Sequence, residues 1–163
     1  MQAVSDDHLL ISRVVKRDQD AARAFAKAAH EESIFGQIPF SAEKFDHFFQ
    51  KTIDAPERNL GVKAMRDGDM LGLAHCYMGG YFIGEGARVV SVNMINVAKP
   101  ARGTFLGGKV ALKLVRAVLD WAKSQDAHLV LFYVSAGEHI AKTDRFFRKL
   151  GAVGLGGNYG VLV

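Results

Sequence analysis

A β-branched run, Val89–Val97, leads into Lys99-Pro100-Ala101-Arg102-Gly103, and an apolar-periodic segment begins at Leu106. Strand, glycine-containing turn and helix therefore follow one another directly. The first N–H groups of a helix have no intrahelical partners, and the helix dipole adds positive potential at the same place. This order predicts an anion site whose donors are main-chain amides. Gly103, Gly107 and Gly108 permit close approach of the backbone, and Arg102 and Lys109 add positive charge. The chemistry called for is binding of a pyrophosphate. The same succession also arises for purely structural reasons, so by itself it names no ligand.

Two other phosphate motifs fail on detail. Four residues separate Gly103 from Gly108 and Lys109 follows, as in a P-loop, but Val110 stands where a magnesium-binding hydroxyl is needed. The dinucleotide fingerprint Gly-x-Gly-x-x-Gly is absent. His75 and Cys76 are adjacent, so a strand would turn them to opposite faces, and a structural reading is preferred to a metal site. The stripe Phe45, Phe48, Phe49 and Ile53 has helical spacing and reads as core packing.

The positioning elements follow from the patterning. His8–Lys16 reads as a first strand, and Asp18 or Asp20 as the cap of a helix reaching about Ala29. Ser41 caps a helix over about 42–54, ended by Pro56. Leu60–Arg66 and Met70–Met78 are strands joined by the hairpin signal Asp67-Gly68-Asp69. Gly79-Gly80 and Gly84–Gly86 mark a looser turn before Val89–Val97. From Leu106 to about Gln125, the stripe Leu106, Val110, Leu114, Val118 and Trp121 predicts a long helix. His128–Val134 reads as a central, buried strand, and Ile140–Leu150 as a helix stopped by Gly151. The Gly-rich apolar segment Val153–Val163 suggests one or two terminal strands. The alternation predicts an α/β protein with a mixed sheet and helices on both faces.

A length of 163 residues suggests one domain over 1–163. The formal charge of +4 is mild and dispersed, so no nucleic-acid partner is expected. The single cysteine, Cys76, allows no internal disulfide and fits a reducing compartment. Met1–Leu10 carries Asp6 and Asp7 and lacks an apolar run, so a signal peptide is not expected. The nearly apolar stretches 89–98 and 127–136 are too short to span a membrane. The expected location is cytoplasmic, with no membrane partner and no metal.

Arg102-Gly103-x-x-x-Gly107 after the Val97 strand, Trp121-Ala122 in the long helix, the strand 128–134 and Arg145-Phe146-Phe147-Arg148-Lys149-Leu150-Gly151 together resemble the GNAT superfamily of N-acetyltransferases. The order of elements over 8–163 also fits, and the likeness is specific over about 89–152. The family's turn motif is Arg/Gln-x-x-Gly-x-Gly/Ala. Arg102 and Gly107 match its ends, and Phe105 replaces the middle glycine. Similar sequences with Arg-Gly-x-x-x-Gly are often of phage or prophage type. The resemblance implies a GNAT-like, mostly antiparallel central sheet and acetyl-CoA as co-substrate. It puts the pantetheine arm along Ile95, Asn96 and Val97. The phosphates fall on Arg102, Gly103, Thr104, Phe105, Leu106, Gly107, Gly108 and Lys109. The fourth and fifth strands are expected to splay apart near Val97 and Val134.

The catalytic positions depart from the family. The usual leaving-group acid is a tyrosine in Tyr-x-x-x-Gly-Phe, and here Phe147 and Ala152 replace its ends. The position some relatives give to a carboxylate base falls at about Ser91, and the strand 89–97 contains no acid. Three candidates are left by the resemblance. Glu32, beside Glu31, lies in a region that shapes the acceptor site; Tyr133 ends the penultimate strand; His139 opens the last helix. Each also has a bland reading, as a solvated carboxylate, a structural tyrosine and a capping histidine. The activity implied is acetyl transfer from acetyl-CoA to a primary amine. A small amine, a peptide N-terminus, a lysine side chain and an aminoacyl group all stay open as acceptor, and a homodimer is compatible. The alternative is a GNAT-like domain that binds CoA or a protein partner without turnover. A nucleic-acid-binding reading rests on the +4 charge alone.

Overall fold

The structure, a computed structural model, describes residues 8–133, 140–156 and 161. Five strands lie in the order β1-β2-β3-β4-β5. They are β1 (Leu10–Arg13), β2 (Asn59–Arg66), β3 (Asp69–Gly80), β4 (Arg88–Val97) and β5 (Leu129–Phe132). Neighbours pair antiparallel except β4 with β5, which is parallel. The helices are α1 (Gln19–Glu31), α2 (Ala42–Asp54), α3 (Phe105–Ser124) and α4 (Ile140–Lys149). The mixed, mostly antiparallel sheet with helices on both faces is as expected.

Each face has its own core. Leu60, Val62, Ala74, Cys76, Val90 and Val92 meet Val110, Leu114, Val118 and Trp121 of α3. On the other face Leu73 and Val14 meet Ala22 and Ala26 of α1 and Phe45 and Phe49 of α2. Strand alternation produces the division, since Leu73 and Ala74 are neighbours on β3 and enter different cores. Gly72 lets α3 lie close on the sheet: a Cβ there would stand 2.6 Å from Val110 and 2.8 Å from Leu114. A bidentate pair joins α1 to α2, with Arg23 Nε 2.7 Å from Asp46 Oδ1 and its Nη2 2.9 Å from Oδ2.

Local chemistry explains most boundaries. Asp67 (φ 52) and Gly68 (φ 89) both take positive φ, which a two-residue hairpin turn of type I′ requires. Ser41 Oγ accepts from Lys44 N at 3.2 Å and starts α2, as expected. Asp18 does not cap α1 through its side chain. Its carboxylate is taken by Val15 N at 2.7 Å and by Lys63 Nζ at 2.5 Å.

Four further expectations are corrected. The first strand is shorter than expected, because Lys16–Asp18 turns into a 3₁₀ helix. Gly79 and Gly80 are not a turn; they continue β3 opposite Val89 and Arg88. Of the expected central, buried strand over 128–134, β5 occupies Leu129–Phe132; among the described residues it ends the strand order, and Leu129 is 41% exposed. Ala152–Gly156 forms no strand, and most of the remaining terminal segment lies outside the described residues.

Candidate cofactor and active site

The turn between β4 and α3 is built by its own side chains. Lys99–Ala101 forms a 3₁₀ turn, and Gly103 takes φ 75, a left-handed conformation that favours glycine. Thr104 caps α3: its Oγ1 accepts from Gly107 N at 3.1 Å and donates to Ala101 O at 2.6 Å. Gly108 N donates to Thr104 O at 3.1 Å. Arg102 N donates to Lys99 O at 3.2 Å and Thr104 N to Ala101 O at 3.3 Å, so four amides of the expected anion site, those of Arg102, Thr104, Gly107 and Gly108, are spent within the protein. Among the described residues, the N–H groups of Gly103, Phe105 and Leu106 meet no acceptor. These three are the donors left for an anion.

The glycines divide by role. At Gly107 a Cβ would stand 2.1 Å from Ala101 O, so the glycine is demanded by the turn folding back on the helix and not by a ligand. Gly103 and Gly108 have open space where a Cβ would be. Phe105, in place of the family's middle glycine, is 86% exposed and leaves the turn uncovered.

Arg102 reaches back across the turn. Its Nε donates to Val97 O at 2.8 Å, and its Nη1 lies 2.5 Å from Glu32 Oε2. Lys99 Nζ is 3.9 Å from the same carboxylate. Glu32, expected on the acceptor side, therefore meets the cations of the turn. No signal in the sequence points to this contact, which spans 70 residues.

Among the described residues, pairing of β4 with β5 runs from Val89↔Leu129 to Val92↔Phe132, while β4 continues to Val97. The β3–β4 register shifts at the same level, His75 facing Met94 and Cys76 facing Val92, so Asn93 is the extra residue of a bulge. Bulges bend and twist a strand. Ala98 N donates to Leu71 O at 2.8 Å, so strand alternation turns the main-chain groups of Asn96 toward β3 and those of Ile95 and Val97 to the side away from β3. Val97 O is already taken by Arg102. Val134, the other half of the expected splay, lies outside the described residues.

Tyr133 follows β5 and is 47% exposed. It lines a cleft of about 580 Å³ together with Phe132, Phe147 and residues of α4 and 152–156. Phe147 packs its ring against Phe132 with centroids 4.7 Å apart. His139 lies outside the described residues. Ser91 is buried opposite Tyr77, which is 42% exposed.

His75 and Cys76 face opposite cores, as their adjacency predicts. His75 is 3% exposed, with its ring 4.0 Å from that of Phe48 and no hydrogen-bond partner on either nitrogen. Burial pushes its pKa down to about 4. Burial pushes the Cys76 thiol up to about 12, which makes it inert at neutral pH. Among the described residues no group of three or more His, Cys, Asp or Glu side chains is placed to hold a metal. No described helix is long and apolar enough to cross a membrane.

Residues 23–152 match the acetyltransferase (GNAT) family. The chain belongs to that family. Among curated proteins none matches it in sequence. Among solved structures it is similar to AAC(6')-Iy in complex with the bisubstrate analogue CoA-S-monomethyl-acetylneamine, with TM-score 0.74, 17% identity, and 96% of this chain and 99% of that one covered. A predicted acetyltransferase from Clostridium acetobutylicum, solved with acetyl-CoA, gives TM-score 0.71 at 11% identity, covering 94% and 96% of the two chains. The ribosomal-protein-alanine N-acetyltransferase of Brucella melitensis biovar Abortus 2308 gives TM-score 0.68 at 16% identity, covering 96% and 99%. At these identities the likeness carries the GNAT fold. The narrower likeness to phage-type sequences finds no support among these relatives.

Proposed function

We propose that this GNAT protein is a single-domain enzyme that transfers the acetyl group of acetyl-CoA to a primary amine. One observation carries the reading: three amides without an acceptor among the described residues and Arg102 stand at the end of the strand whose described pairing with β5 ends at Val92. The arrangement suits a diphosphate joined to an extended, hydrogen-bonding arm. Arg102 and the amides of Gly103, Phe105 and Leu106 take the phosphates. Ile95 and the N–H of Val97 pair with the arm. Two solved relatives, AAC(6')-Iy and the Clostridium acetobutylicum protein, bear CoA-type ligands and support the choice.

The chemistry is attack of the neutral amine on the thioester carbonyl carbon, with loss of one amine proton and cleavage of the C–S bond. The thiolate is then protonated. The protein contributes by positioning and by main-chain donors near the carbonyl. Phe147 has no proton to give, so the thiolate leaves to water or to Tyr133 or His139. Glu32 is bound to Arg102, which removes it as a free acceptor-side base in this state. We place the reaction in the cytoplasm, in keeping with the unpaired thiol of Cys76.

The test is release of free CoA thiol from acetyl-CoA against a panel of small amines, peptides with free N-termini and lysine peptides. Turnover with at least one amine supports the reading. Phe147, packed on Phe132 where the family places a proton donor, favours the second reading, CoA binding without transfer. Tight CoA binding with no turnover across the panel establishes that second reading.

A further inference from the structure

We propose that Glu32 belongs to the cofactor site as its internal counter-anion, holding on Arg102 the place that a phosphate takes when acetyl-CoA binds. This rests on the acetyl-CoA reading above. A carboxylate and a phosphate offer a guanidinium the same charge-assisted hydrogen bond. Glu32 Oε2 makes that bond at 2.5 Å, with Lys99 Nζ 3.9 Å from Oε1.

The position of Glu32 is owed to the turn and not to its own helix. It is the C-cap of α1, and the negative end of a helix dipole disfavours a carboxylate there. Its neighbour Glu31 pairs instead within the helix, 3.8 Å from Lys27. The cations that hold Glu32 lie 67 and 70 residues away, on the segment that carries the unpartnered amides.

The pair is built to be exchanged. The side chains of Glu32 and Arg102 are 30% and 43% exposed, so a phosphate reaches them from solvent. Half-exposed ion pairs contribute little to stability. The Lys63–Asp18 pair, at 11% and 12%, is the contrasting structural case. Arg102 Nε is anchored independently on Val97 O, so the guanidinium stays aimed when the carboxylate leaves. A diphosphate gains the amides of Gly103, Phe105 and Leu106 as well, which Glu32 does not use. Binding therefore displaces Glu32 and breaks its link between the turn and the end of α1, while the segment that follows keeps its own hold through His30 Nε2, 2.6 Å from Ile38 O.

The experiment is titration calorimetry of CoA and, separately, inorganic pyrophosphate. The proteins are the parent, Glu32→Gln, Glu31→Gln, Arg102→Gln and the Glu32→Gln/Arg102→Gln double variant. Glu32→Gln is expected to tighten both ligands roughly two- to fivefold, the worth of an exposed pair. Glu31→Gln, with the same charge change, is expected to leave them unchanged, and Glu32→Gln to have no effect once Arg102 is gone. Weaker binding by Glu32→Gln would mean that the carboxylate positions Arg102; equal tightening by Glu31→Gln would mean a general field effect. Either result overturns the proposal. If no form binds CoA but pyrophosphate keeps the predicted order, the acetyl-CoA reading fails and the role of Glu32 stands. If neither ligand follows that order, the proposal falls.

Discussion

Gly107 lies against Ala101 so closely that a Cβ on it would stand 2.1 Å from the Ala101 carbonyl oxygen and 2.8 Å from its carbonyl carbon. The obstacle is backbone, at the end of a 3₁₀ turn that Thr104 Oγ1 links to the first turn of α3. It has no rotamer by which to give way.

Gly107→Ala is therefore expected to cost about 1–3 kcal/mol, the usual range for forced overpacking. Gly108→Ala has open space for its methyl and a helical position, and is expected to be neutral or stabilising by up to about 1 kcal/mol. Thermal or denaturant melts of the two variants check the contrast. Equal effects would mean that the close approach is absent in solution.

His75 makes stability depend on pH. Its folded pKa is about 4 against an ordinary 6.5, because the ring is buried without a partner. Above pH 6.5 both states are neutral and the group contributes nothing. As pH falls from 6.5 to 4 the unfolded chain takes a proton that the folded one refuses, so stability declines. The loss approaches about 3 kcal/mol near pH 4, at 1.36 kcal/mol per pKa unit. Denaturant titrations between pH 7.5 and 4.5 should show this slope in the parent, and a shallower one in His75→Leu. Identical slopes would remove His75 as the cause.

Phe147→Tyr is expected to leave turnover within about threefold, since the ring is committed to Phe132 and transfer proceeds without a donor at 147. Positioned acids are worth about 10²–10⁴-fold. A gain of that size in steady-state kcat would show that the missing hydroxyl limits the rate.

Arg102→Ala is expected to weaken CoA about tenfold, the effect of a lost charge-assisted bond to phosphate. It also releases Glu32 from the turn, so amide exchange over 32–36 should accelerate without ligand. Unaltered affinity in calorimetry would take Arg102 out of the site.

Patterns with a strong local cause were readable from sequence. The α3 stripe, the Ser41 cap and the Asp67-Gly68 turn each depend on residues a few positions apart, and all stand as expected. The matching motif ends, Arg102 and Gly107, pointed to the turn on which the proposed phosphate site rests. What was not readable depends on tertiary contact. Gly79 and Gly80 look like a turn until β4 pairs with them. The apolar run at 128–134 gives no hint that β5 ends the described strand order. The bulge at Asn93 has no residue signature, and neither the Glu32–Arg102 pair nor the Asp18–Lys63 pair, 45 residues apart, is marked by spacing. The glycines of the turn were read alike as room for a ligand, whereas Gly107 serves the protein's own backbone.

The unpartnered amides of the turn are tested most directly at position 105. It is the first residue of α3, where proline is well tolerated, and Thr104 before it is extended at φ −98, ψ 163, as a residue preceding proline requires. Phe105→Pro therefore deletes one amide donor and keeps the helix, and Phe105→Ala controls for the lost ring. Calorimetry with acetyl-CoA should show binding at least about tenfold weaker for Phe105→Pro than for Phe105→Ala, at matched melting temperatures, the cost of a lost hydrogen bond to a charged group. Equal affinity of the two variants would contradict phosphate binding at this turn.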